Sequence, residues 1–143
     1  MNIERKTAWI FGINAVINWF VSVRGIVDPV GWVTAFGGDS PDYLFLFRLW
    51  SGFIFMFGWM FWEVSRNVNR KAALIKYNWI EKTITATCVT LGFLSHEVPM
   101  RVMVLITFTN WLWIPLILYC DIAVHRNVRS NACSEVKNEN TNS

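Results

Sequence analysis

From position 43 to 62 the chain reads YLFLFRLWSGFIFMFGWMFW, almost wholly apolar and aromatic, with a single charge, Arg48, inside it. A helix of that length rises about 30 Å, the depth of the hydrocarbon core of a bilayer. A soluble domain of 143 residues has little interior in which to hide such a run, and this chain repeats the pattern. Its residues are 54% hydrophobic, and they include nine Trp and eleven Phe. The charged share is 16%, against roughly a quarter in soluble domains. Lipid accommodates these side chains where water does not, so the chain reads as an integral membrane protein.

Four segments have the length and character of spans: residues 8–27, 43–62, 77–95 and 102–122, the third being the most polar. The first follows Arg5 and Lys6 as the apolar part of a signal peptide would. However, Asn14 and Asn18 interrupt it and no small-x-small cleavage site follows, so it is read as a retained span. The expected fold is all-α, an up-down four-helix membrane bundle over residues 1–126. Residues 127–143, rich in Asn, Ser and Lys, read as a disordered polar tail.

Orientation follows from the Lys and Arg residues of the short connections. Arg5, Lys6, Arg66, Arg70, Lys71, Lys76, Arg126, Arg129 and Lys137 fall on one side. Only Arg24 and Arg101 fall on the other, beside Asp28, Asp39, Asp42 and Glu97. Both termini are therefore expected in the cytoplasm, in a multi-pass protein of a cell inner membrane. Asp28-Pro29, Gly31 and Gly37-Gly38 read as turns in the long outer loop, with Trp32 and Phe36 lying against the membrane surface. Ser40-Pro41-Asp42 reads as the capped start of the second span.

Arg48 is the residue to explain. A central Arg costs about 2.5–3.5 kcal/mol on insertion, and each Leu, Ile, Phe or Val offsets about 0.3–0.6 kcal/mol. The second span has ten of these, so it inserts. Arg48 lies about 7–8 Å from the outer end, within reach of the interface. Leu44, Ser51, Gly52 and Phe55 stand three or four residues away, and small residues mark close helix approach. Arg48 is therefore expected to face the interior and to meet Asp28, Asp39, Asp42, Glu97 or His96 near the outer surface. An intramembrane charge marks a site; a salt bridge pinning the outer loop is the structural alternative.

Asn14 and Asn18 share a face of the first span, Asn110 lies near the middle of the fourth, and the third is rich in Thr. These residues form either a polar seam or ordinary interhelical hydrogen bonds. Glu81-Lys82 reads as a boundary pair whose charges reach the inner surface. His96 and His125 are placed at opposite ends of the spans, which argues against a shared metal or haem site. Cys88, Cys120 and Cys133 have neither metal nor disulfide spacing. There is no phosphate loop, nucleophile elbow or paired intramembrane carboxylate, and no basic stripe for nucleic acid.

The run FRLWSGFIFMFGWMFW, a basic loop and two further spans resemble the small four-helix membrane proteins of the DoxX-like and BphX-like groups. In these an Arg followed by small residues opens the second span, as Arg48, Ser51, Gly52 and Gly58 do here. Asp28-Pro29 and Gly31 are similar to their outer loop. The resemblance implies a four-span layout over residues 8–124 and bacterial origin, and it carries no catalytic residue across.

The sequence thus points to a non-enzymatic membrane protein without metal or cofactor. Its expected partners are the bilayer and a small hydrophobic molecule or a membrane protein. Arg48, Arg24, Asp28, Asp42, His96, Glu97, Arg101, Asn14, Asn18 and Asn110 are the candidate binding residues. Two alternatives stand beside this reading. The aromatic surface suits an accessory subunit of a larger complex, and His96 with Glu97 suits acid–base work on a lipid-soluble substrate.

Overall fold

The computed structural model describes residues 3–38 and 44–141, with side chains as far as position 130. Of the described residues 88% are helical and none is in a strand. In order come α1 (Ile3–Val27), α2 (Pro29–Ala35), α3 (Leu44–Arg66), α4 (Ala72–Leu94), α5 (Met100–Ile106), a π-helical turn at Thr107–Trp111, and α6 (Trp113–Thr141). Among the described residues three helices are long and apolar enough to cross a membrane: α1, α3 and the continuous stretch Met100–Ser130. The helix α4 is as long as α3 but is not among them, because Asn78, Glu81, Lys82 and four Thr dilute it.

The helices run past their expected bounds. The first and third begin five residues early, at Ile3 and Ala72. The polar tail expected from position 127 continues as helix to Thr141; it contains neither Gly nor Pro to stop it. The turn expected at Asp28-Pro29 is instead the start of α2. The Gly31 N–H donates to Asp28 Oδ1 at 3.0 Å, and Pro29 takes the first helical position, where no N–H is needed. Ser40, Pro41 and Asp42, where the same signal was read, lie outside the described residues, as does Asp39.

The π-helical turn has a local cause. Pro115 has no N–H to offer the Trp111 carbonyl, and its ring crowds that oxygen. The turn before it widens, and the Leu112 N–H reaches back five residues to the Thr107 carbonyl at 3.1 Å.

The helix α1 packs along α3, and α4 along α6. Gly58 sets the first contact: a Cβ there would lie 2.7 Å from Trp19 Cδ1 and 3.3 Å from the Ala15 carbonyl. Glu4 accepts hydrogen bonds from Asn69 at 2.7 Å and Asn127 at 3.4 Å, which ties the start of α1 to the α3–α4 turn and to α6. That end of the molecule holds the apolar core, with Phe11, Phe61, Ile75, Ile117 and Val124 among its buried residues.

Polarity runs opposite to that of a soluble protein. Thr7, Asn14, Asn18, Ser22, Ser51, Asn78, Lys82 and Asn110 are buried. Phe20, Phe45, Trp59, Phe108 and many other large apolar side chains are exposed. Without water on the outside, apolar side chains gain nothing by turning inward, and polar ones gain partners.

Candidate functional site

The other end of the molecule is not filled. Beneath α2, between α1, α3, α4 and α5, lies a cavity of about 380 Å³. That volume falls within the roughly 300–1,000 Å³ of small-molecule sites. Ile17, Val21, Phe47, Ile54, Val89 and Val102 wall it. Trp32 and Phe36 of the α2 segment cover it, their rings edge to face at 4.9 Å, and Phe20 braces Trp32 from α1 at 6.2 Å. Exposed Glu97 and the residues after it rim it.

The floor is polar. Asn18, Glu81, Lys82, Thr109 and Asn110 line it. Lys82 Nζ donates to Asn18 Oδ1 at 3.1 Å, lies 3.5 Å from Glu81 Oε2 and sits over the Phe61 ring at 5.6 Å. The Lys82 side chain is buried, at 4% exposure, and that of Glu81 is nearly so, at 9%. Asn18 Nδ2 and Asn110 Oδ1 are buried without a hydrogen-bond partner, so the floor holds one unpaired donor and one unpaired acceptor. Glu81 Oε2, at ion-pair distance from Lys82, makes no hydrogen bond either.

Each floor residue has a reason to be there. Lys82 stands four residues from Asn78 and four from Ala86, in the stripe that turns the inner face of α4. It lies twelve residues before the end of α4, about 18 Å along the axis. The expectation of a boundary pair reaching the surface is therefore corrected. The helix starts five residues earlier than expected, which moves Lys82 to its middle, and the side chain points inward. Asn110 lies in the π-helical turn, whose wider winding shifts the register of the side chains that follow.

The candidate residues read from the sequence divide. Asn18, Asn110 and Glu97 come together around the cavity. Asn14 is buried one turn below Asn18 and donates to the Ile10 carbonyl at 3.4 Å. Arg24 is exposed and lies 3.8 Å from Asp28, whose carboxylate caps α2. Arg101 is exposed beside Gly37, and Asp42 lies outside the described residues. His96 is exposed in the left-handed conformation, with φ of 63°, at the end of α4.

Arg48 is exposed, which corrects its expected inward orientation. Ser51 and Gly58 are buried on α3 and define its inner stripe. At about 100° per residue, Arg48 stands roughly 60° off Ser51, at the edge of that stripe. Among the described residues it makes no ion pair.

Lys82 is the residue the sequence reading assigned to the wrong place. The signal was present: a charge within a span, with Asn78 and Ala86 at helical spacing, is the pattern that drew attention to Arg48. Comparison of the chain with family models, curated proteins and solved structures returns no match in any of the three.

Proposed function

We propose that the chain is a non-enzymatic, multi-pass protein of a bacterial inner membrane that binds a small hydrophobic ligand in the cavity beneath α2. In this reading α4 is a fourth span, completing an up-down bundle with both termini in the cytoplasm. Its average polarity comes from Asn78, Glu81 and Lys82, which turn inward, while Ile84, Leu91 and Leu94 face outward. Membership of the DoxX-like or BphX-like groups belongs to the same proposal, as a shared four-span layout.

One observation carries the ligand-binding reading: apolar walls closed at the bottom by a buried, partly unpaired polar floor. The walls suit the body of a lipophile, and the floor fixes the orientation of its polar end. The binding centre moves from Arg48 to Lys82. Glu97 stands at the rim, and His96 does not line the cavity, so the two form no acid–base pair over it.

Native mass spectrometry on protein extracted in mild detergent from its own membranes tests the proposal. A small molecule retained on the 16.6 kDa chain, and lost when Val89→Trp fills the cavity, is the expected result. An empty chain, or a ligand retained equally by the filled variant, overturns it. A larger assembly in the same spectrum would make the chain an accessory subunit, the reading favoured by its exposed Trp and Phe residues.

A further inference from the structure

We infer that the cavity selects lipophiles whose polar end is an uncharged hydroxyl group, and that Glu81 is the residue that rejects anions. The inference rests on the proposed ligand-binding reading and adds the chemistry of the ligand's polar end.

Lys82 is the only cation lining the cavity among the described residues, and at first sight it invites a carboxylate. Glu81 already answers it at 3.5 Å, deep in the same floor. Together the two charges sum to zero. A bound carboxylate would add an uncompensated charge at a buried floor, beside the Glu81 carboxylate and below Glu97 at the rim. A buried unpaired charge is strongly unfavourable, and like charges set side by side are a common means of rejecting a wrong ligand. A bound ammonium would likewise meet Lys82.

The floor does have unmet hydrogen bonding. Asn18 Nδ2 is a donor without an acceptor, and Asn110 Oδ1 is an acceptor without a donor. Their side chains are at least nine-tenths buried, and both residues line the cavity. A hydroxyl both donates and accepts, so its chemistry suits either atom. A carboxylate accepts only and leaves Asn110 Oδ1 unpaired, and an ammonium donates only and leaves Asn18 Nδ2 unpaired. Leaving a buried polar atom unpaired is the strongest discrimination available to such a site.

A scintillation proximity assay on the purified full-length protein, with radiolabelled 1-dodecanol, dodecanoate and dodecylamine, reads the preference directly. Dodecanol is expected to bind at least tenfold more tightly than either charged probe. Glu81→Gln removes the opposing carboxylate and is expected to tighten dodecanoate at least tenfold; Lys82→Gln is expected to do the same for dodecylamine. Dodecanoate binding as tightly as dodecanol to the unaltered protein overturns the inference, with or without folded variants. So does a folded Glu81→Gln protein that still rejects dodecanoate. If none of the three probes binds, while the native spectrum also shows an empty chain, it is the ligand-binding reading itself that fails.

Discussion

At the scale of single residues, the Lys82–Glu81 pair and His96 are where local chemistry departs most from expectation. A buried ion pair adds little by its presence, but removal of one partner leaves the other unanswered, at about 3–5 kcal/mol. Lys82→Met is therefore expected to destabilise the protein by about that amount, because Glu81 stays behind in the floor. The double variant Lys82→Met with Glu81→Gln should recover most of the loss. Thermal unfolding in detergent, arranged as a double-mutant cycle, measures the coupling. His96 occupies the left-handed position that ends α4: the Glu97 N–H returns to the Gly92 carbonyl at 2.9 Å and the His96 N–H to Phe93 at 3.1 Å. That turn favours glycine, and a side chain there costs roughly 1–2 kcal/mol. His96→Gly should raise stability by about 1 kcal/mol in the same assay. A fall would mean that the imidazole makes a contact worth more than the strain.

At the scale of elements, two features set the site. One is the close contact of α1 and α3 at Gly58, where Trp19 and the Ala15 carbonyl leave no space for a side chain. Trp19 in turn packs against Trp59 and Trp62 of α3, with ring centroids 6.3 and 5.8 Å apart. Gly58→Leu should push the two helices apart and destabilise by about 1–3 kcal/mol, the usual range for overpacking. Gly52→Leu, where a Cβ meets nothing within 4 Å, is the control that should leave the unfolding temperature unchanged. The second feature is the short helix α2, which holds Trp32 over the cavity. Its start was encoded as Asp-Pro with Gly31 three residues after Asp28, a pattern that also reads as a turn. Only the helix that follows separates the two readings. The π-helical turn was equally legible in principle, since Pro115 lies four residues beyond Trp111, but its consequence for Asn110 depends on how the helix above the proline responds.

At the scale of the whole molecule, the distribution of polarity is the principal finding. Many large apolar side chains lie outside, while Asn, Thr, Ser and one Lys join the apolar core inside. The three apolar helices match this arrangement, and the basic connections are the ground for the proposed orientation. Single cysteines at Thr34 and Lys137, placed in a chain lacking its native cysteines, test the orientation in intact cells with a membrane-impermeant maleimide. Position 34 is expected to label from outside and position 137 only after lysis. Labelling of both from outside would mean an odd number of spans and would remove α4 from the count.

Composition and charge alone determined that the chain is helical, that several helices have the length and apolarity to cross a membrane, and which ends carry the basic residues. These properties are additive: each residue contributes to length, hydropathy or charge wherever its side chain points. The site is not additive. Asn18, Lys82 and Asn110 are 64 and 28 positions apart along the chain, and only packing brings them to one floor. Arg48 and Lys82 look alike in sequence, each a charge within an apolar run beside small residues. A rotation of about 60° about the axis of α3 turns the first outward, and the inner stripe of α4 turns the second inward. That choice is made by which faces of neighbouring helices can approach, and the tertiary structure alone decides it.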